Sequence, residues 1–128
     1  MTGLINYYGQ EIHIGDYLWT FHGYSIVKVV NILEQKDGKK KIVFWTGWMI
    51  ELSDGKPFEK MKCMEFREDD KVIYKIEPNE EIEHMFSIKP TDHCSEAGEE
   101  FERIRDKYFE MYYNIIKEKL QHKRFDEQ

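Results

Sequence analysis

Cysteine is scarce: Cys63 and Cys94 are the only two in 128 residues. With no C-x-x-C spacing and no secretory context, a disulfide framework is excluded, and reduced thiols in a cytosol are the expectation. The five histidines form neither H-x-x-x-H nor H-E-x-x-H, so the helical zinc patterns are missing. There is no P-loop and no G-x-G-x-x-G, which removes the two commonest phosphate cradles. No apolar run approaches the roughly 18 residues that cross a bilayer. The opening MTGLINYYGQE lacks the basic and apolar regions of a signal peptide. A cytoplasmic protein that does not engage a membrane is expected. Alanine is nearly absent, Ala97 being the only one, while Ile, Lys and Glu abound. Such a bias suits an A/T-rich genome, such as that of a low-GC bacterium or its phage.

Basic surplus is also missing. Nineteen Lys and Arg face 25 Asp and Glu, a net charge of −6. This argues against non-specific binding to a phosphate backbone, which draws on lysine and arginine density. What is present is a core: 41% of residues are apolar and 15% aromatic. The length suits one domain.

The pattern changes near Pro90. Before it, strand signals dominate. Ile12, Ile14, Gly15-Asp16 and Tyr17–Trp19 read as a first strand with a bend at the glycine, followed by a turn around Gly23. Tyr24 to Leu33 is rich in β-branched residues, Asp37-Gly38 marks a hairpin, and Lys41 to Leu52 is the next strand. Phe58 to Phe66 reads as a strand or an irregular connection. Val72–Ile76 and Ile82–Ile88 alternate apolar and polar residues and read as the last two strands. From about Ser95 the period becomes helical: Phe101, Ile104, Tyr108, Met111 and Ile115 form a stripe that Phe109, Tyr112, Ile116 and Leu120 widen. Ser95 or Asp92 supplies the N-cap oxygen. The fold class expected is α+β. A small antiparallel β-barrel or strongly curved sheet of five to six strands occupies residues 1–90, and one long C-terminal α-helix over 91–128 packs on the sheet.

The segment IVFWTGWMIEL, from Ile42 to Leu52, is apolar on both faces. Side chains alternate along a strand, so Ile42, Phe44, Thr46, Trp48 and Ile50 take one face, and Val43, Trp45, Gly47 and Met49 the other. A strand apolar on both sides is packed on both sides. The barrel interior covers one face and the C-terminal helix the other, with Gly47 as a bulge or as room for the helix to approach. Trp45 and Trp48 are then mainly core. The competing reading is an exposed aromatic groove built from Tyr17, Trp19, Tyr24, Trp45, Trp48 and Tyr112, of the kind that binds proline-rich segments or holds cations by its ring faces.

The segment IHIGDYLWTFHGYSIVKVVNI resembles the opening hairpin of SH3-like small barrels, in Ile12, Ile14, Gly15, Asp16, Gly23, Val27, Val29 and Ile32. The resemblance covers this segment alone. It implies a small barrel and a general role in holding peptides, proteins or nucleic acids, and fold alone does not fix which.

The leading functional expectation is a non-catalytic protein-binding module, such as a phage or mobile-element accessory protein acting on a host protein. Homodimerisation through the C-terminal helix is a variant of it. The alternative is a nucleic-acid-binding barrel that uses the hairpin cluster Lys36, Lys39, Lys40 and Lys41. More often a basic hairpin tip is a solvated loop that keeps strand edges from pairing. An enzyme is the third reading. His84, His93 and Cys94 with Cys63 could in principle ligate zinc or hold a nucleophile, but the spacing matches no ligand pattern. The acids Asp92, Glu96, Glu99 and Glu100 could bind a divalent cation, but nothing requires it, and paired acids such as Glu99-Glu100 in a first helical turn are usually solvated caps. No catalytic residue, metal or cofactor is assigned.

Overall fold

The computed structural model describes residues 4–21, 25–90, 92 and 94–126. Five strands form one antiparallel sheet: β1 (Tyr17–Thr20), β2 (Ile26–Glu34), β3 (Lys40–Glu51), β4 (Pro57–Phe66) and β5 (Ile73–Ile76). Their order is β4-β3-β2-β1-β5. Two helices follow, α1 (Glu80–Ser87) and α2 (Glu96–Asp126). The sheet curls without closing into a barrel, so of the two architectures expected the strongly curved sheet is the one present.

The residues dictate the turns. Asp37 accepts a hydrogen bond from the Lys39 amide and Asp54 from the Lys56 amide, each at 3.0 Å. Each is followed within the turn by a glycine of positive φ, Gly38 at 80° and Gly55 at 80°, as Asp-Gly hairpins require. Phe58–Phe66, ambiguous by pattern, belongs to a regular strand paired with β3.

The expected strand at Ile82–Ile88 is instead helix α1. Asn79 caps it, its side chain accepting from the Ile82 amide at 2.8 Å, and three glutamates stand in the first turn, where the helix dipole favours them. Ile82, Met85 and Phe86 are all buried. Their i, i+3, i+4 spacing is helical, and it outweighs the alternation of Ile82, Phe86 and Ile88 that suggested a strand. The first strand is also shorter than expected, beginning at Tyr17. Ile12 is buried, but Ile14 is exposed, and Gly15 turns the chain at φ 96°.

Two cores lie on the two faces of the curled sheet. One gathers Leu4, Ile12, Leu18, Val27, Val29, Ile42, Phe44 and Ile73, so the segment before β1 seals that face. The other gathers Tyr17, Trp19, Ile26, Trp45 and Ile76 under α1 and α2, which add Met85, Phe86, Phe101, Ile104, Tyr108 and Ile116. On α2 the seam runs through Phe101, Ile104, Tyr108 and Ile116, and Met111, placed in the stripe by periodicity, is exposed. Ser95 caps this helix, its Oγ accepting from the Gly98 amide at 3.0 Å.

Strand β3 departs from simple alternation. The pairing with β4 shifts register between Trp45 and Met49, and Gly47 sits there at φ 84°. This bulge brings Trp48 round to the helix side, where it packs on the same core as Trp45. The two tryptophans therefore share a face, where alternation had put them on opposite ones.

The outer edge of β5 is occupied. The Gln10 side-chain amide accepts from the Lys75 N–H and donates to the Lys75 carbonyl, both at 2.8 Å, as a neighbouring strand would. Asn6 is buried and donates to Gln10 Oε1 and to the Ile73 carbonyl. The N-terminal segment thus blunts one edge of the sheet.

Candidate functional site

Trp19 ends up almost fully buried, 2% exposed, between β1 and the middle of α2. Its ring stacks on Phe109 at 5.3 Å between centroids and 19° between planes, and its Nε1–H donates to the Phe109 carbonyl at 3.0 Å. Two residues along, side chains return to the same face of a strand, so Phe21 follows Trp19 outward. Phe21 stacks on Phe109 (5.9 Å) and lies 6.0 Å from Tyr113. Phe109 and Tyr113 stand one helical turn apart and are themselves stacked at 6.4 Å. These four rings form a continuous aromatic wall whose inner members are covered and whose outer members are not: Phe21 is 56% exposed and Tyr113 41%.

Beside this wall opens a groove of about 470 Å³, within the range of ligand pockets. Helix α2 contributes Tyr113, Ile116, Lys117, Leu120 and Gln121; the approach to β5 contributes Lys71 and Val72; Tyr7, Trp19 and Phe21 complete it. The α2 residues fall at i, i+3, i+4, i+7 and i+8, one face of a helix. Phe21 also borders a second hollow of about 180 Å³, lined by Thr20, Ser25 and Phe109. Thr20 is fully buried and its hydroxyl has no hydrogen-bond partner among the described residues. Lys71 Nζ rests 5.4 Å over the Tyr7 ring, a cation–π contact that steadies the ammonium at the rim.

Tyrosines continue from the groove along the sheet: Tyr7 against Tyr8, Tyr8 against Tyr74, and Tyr74 against Tyr112. Burial pushes the Tyr8 hydroxyl up to about 12, assisted by Tyr7, Tyr74 and Asp70; that hydroxyl donates to the Lys71 carbonyl at 2.6 Å. Burial likewise raises Tyr17, Tyr74 and Tyr112. In the N-terminal half of α2, Lys107 (2.7 Å) and Tyr108 (2.9 Å) donate to Glu81 of α1. Those two bonds hold its carboxyl below the usual range.

Of the groove aromatics singled out from sequence, only Trp19 among the described residues borders this groove. Tyr17 and Trp45 pack on Phe86 inside the helix-side core, Trp48 on Phe101, and Tyr112 on Tyr74. Tyr24, His22 and His93 lie outside the described residues. The rings that do face outward, Phe21 and Tyr113, were missed from sequence; they stand two beyond Trp19 on the strand and four beyond Phe109 on the helix, a spacing that points to the groove only once Trp19 and Phe109 are known to meet.

Lys36, Lys39, Lys40 and Lys41 lie at the β2–β3 turn, where Lys40 pairs across from Glu34 and Asp37 and Glu34 stand among them. Trp19 pairs with Ile26, at the opposite end of β2, roughly 25 Å away at strand rise. The lysines and the aromatic wall are therefore not assembled into one surface. Among the described residues no group of three or more His, Cys, Asp or Glu side chains is placed to hold a metal ion. No described helix is long and apolar enough to cross a membrane. No family model matches the chain, and no curated protein or solved structure is significantly similar to it.

Proposed function

We propose that the protein is a non-catalytic binding module that seats a segment of another protein in the groove between β1 and α2. One observation carries this reading: Phe21 and Tyr113 hold large rings in solvent at the margin of a 470 Å³ apolar groove, while their inner neighbours Trp19 and Phe109 anchor them. Exposed aromatic surface around a concavity is costly to leave open and is characteristic of docking sites. The rigid sheet and the long α2 fix the two walls, so little ordering entropy is lost when a partner docks.

The test compares the native chain with the double substitution Phe21→Ala and Tyr113→Ala as baits in a bacterial lysate, with mass spectrometry and light scattering alongside. A partner retained by the native chain and lost by the variant supports the reading. A partner retained equally by both places docking elsewhere. A native dimer that the variant turns into a monomer identifies the partner as a second copy.

A further inference from the structure

We infer that the groove recognises a protein segment in which a large apolar side chain stands beside a carboxylate. This rests on the groove being the docking site. The chain as a whole carries six more acids than Lys and Arg, 25 against 19. The groove inverts that balance: its charged lining residues are Lys71 and Lys117, with no carboxylate among the ten residues that line it. The two amines come from different walls, Lys71 from the approach to β5 and Lys117 from α2. The apolar floor of the same groove includes Val72, Ile116, Leu120 and Trp19. An aromatic or branched aliphatic side chain fills that floor, and its neighbouring carboxylate meets the ammonium groups at the rim. Beside an apolar floor such a charge-assisted hydrogen bond is stronger than in open water. A cationic ligand meets like charge there instead.

Phe21 argues for a protein segment over a small aromatic acid. It lines both the 470 Å³ groove and the 180 Å³ hollow next to Thr20. A single small molecule fills one of these. An extended segment lays successive side chains into both, one on each side of the Phe21 ring.

The experiment titrates isotopically labelled full-length protein and follows the Trp19 indole N–H by NMR. Three matched probes carry the same ring: N-acetyltryptophan (anion), N-acetyltryptophanamide (neutral) and tryptamine (cation). Two further probes are the capped peptides Glu-Trp-Leu and Lys-Trp-Leu. The expected result is that each anionic probe binds about tenfold more tightly than its cationic counterpart. The difference shrinks in 0.5 M salt and disappears in Lys71→Ala, Lys117→Ala protein, while Lys36→Ala, Lys39→Ala protein keeps it. Equal binding of anion and cation overturns the charge preference and leaves the groove standing as a docking site. Acidic peptide binding no tighter than N-acetyltryptophan overturns the protein-segment assignment in favour of a small aromatic acid. No response from any probe overturns both this inference and the groove as a docking site.

Discussion

Phe101 of α2 lies directly against Gly47 of β3: a Cβ built on the glycine would stand 2.6 Å from Phe101 Cε2 and 3.3 Å from Phe86 Cδ1. The helix can come this close only because position 47 has no side chain. The same glycine supplies the positive φ of the bulge that sends Trp48 to the helix side. Two demands, space and backbone conformation, fall on one residue.

Gly47→Ala therefore meets both penalties. Left-handed backbone costs a non-glycine residue about 1–2 kcal/mol, and overpacking adds about 1–3 kcal/mol. The expected loss is about 2–5 kcal/mol, read as a lower urea midpoint at unchanged slope. An unaltered midpoint would mean that α2 does not press on β3 at this point.

The aromatic wall divides into an anchoring half and an exposed half, and stability measurements should separate them. Trp19→Phe removes the hydrogen bond to the Phe109 carbonyl and part of a fully buried ring, at a cost of about 1–3 kcal/mol. Phe21→Ala removes a side chain that is mostly in solvent and should cost under about 1 kcal/mol. Chemical denaturation of the two variants gives the comparison. A Phe21 substitution as damaging as the Trp19 one would make the exposed ring a structural part and deprive the groove of its main functional argument.

Much of this fold was legible in residues. The two Asp-Gly turns, the β-branched run of β2 and the period of α2 each state their local structure without help from the rest of the chain. Three features depended on tertiary context. The segment Ile82–Ile88 fits either period over its short length, and it is the cap at Asn79 together with burial against α2 that decides for a helix. The faces of β3 could not be read past Gly47, because a bulge resets the alternation. The groove was hidden for a further reason: the most conspicuous aromatics, Trp45 and Trp48, fill the core, while the exposed wall uses Phe21 and Tyr113, whose partners are some ninety positions distant in sequence. Adjacent Tyr112 and Tyr113 illustrate the difficulty. Periodicity says that the two point in different directions, but only the position of Tyr74 against Tyr112 and of Phe21 near Tyr113 shows which one faces the groove.

Tyr17, which is buried, and the half-buried Tyr8, Tyr74 and Tyr112 make a prediction about alkaline conditions. Tyr8 is raised to about 12, first by burial, and Tyr17, Tyr74 and Tyr112 are raised from the same cause. In the unfolded chain these hydroxyls ionise near pH 10. Above that pH the unfolded state binds fewer protons than the folded state, so stability falls as pH rises. The contribution of these groups is thus intact below about pH 10 and is lost progressively toward pH 12. Unfolding followed by circular dichroism should coincide with a late rise in tyrosinate absorbance. Tyr8→Phe cannot ionise, and it also gives up the 2.6 Å hydrogen bond to the Lys71 carbonyl. That variant should be less stable at neutral pH, yet lose less stability between pH 10 and 12. If its alkaline limb runs parallel to that of the native chain, Tyr8 does not hold its proton through folding, and the seal between the N-terminal segment and the groove wall at Lys71 rests on other contacts.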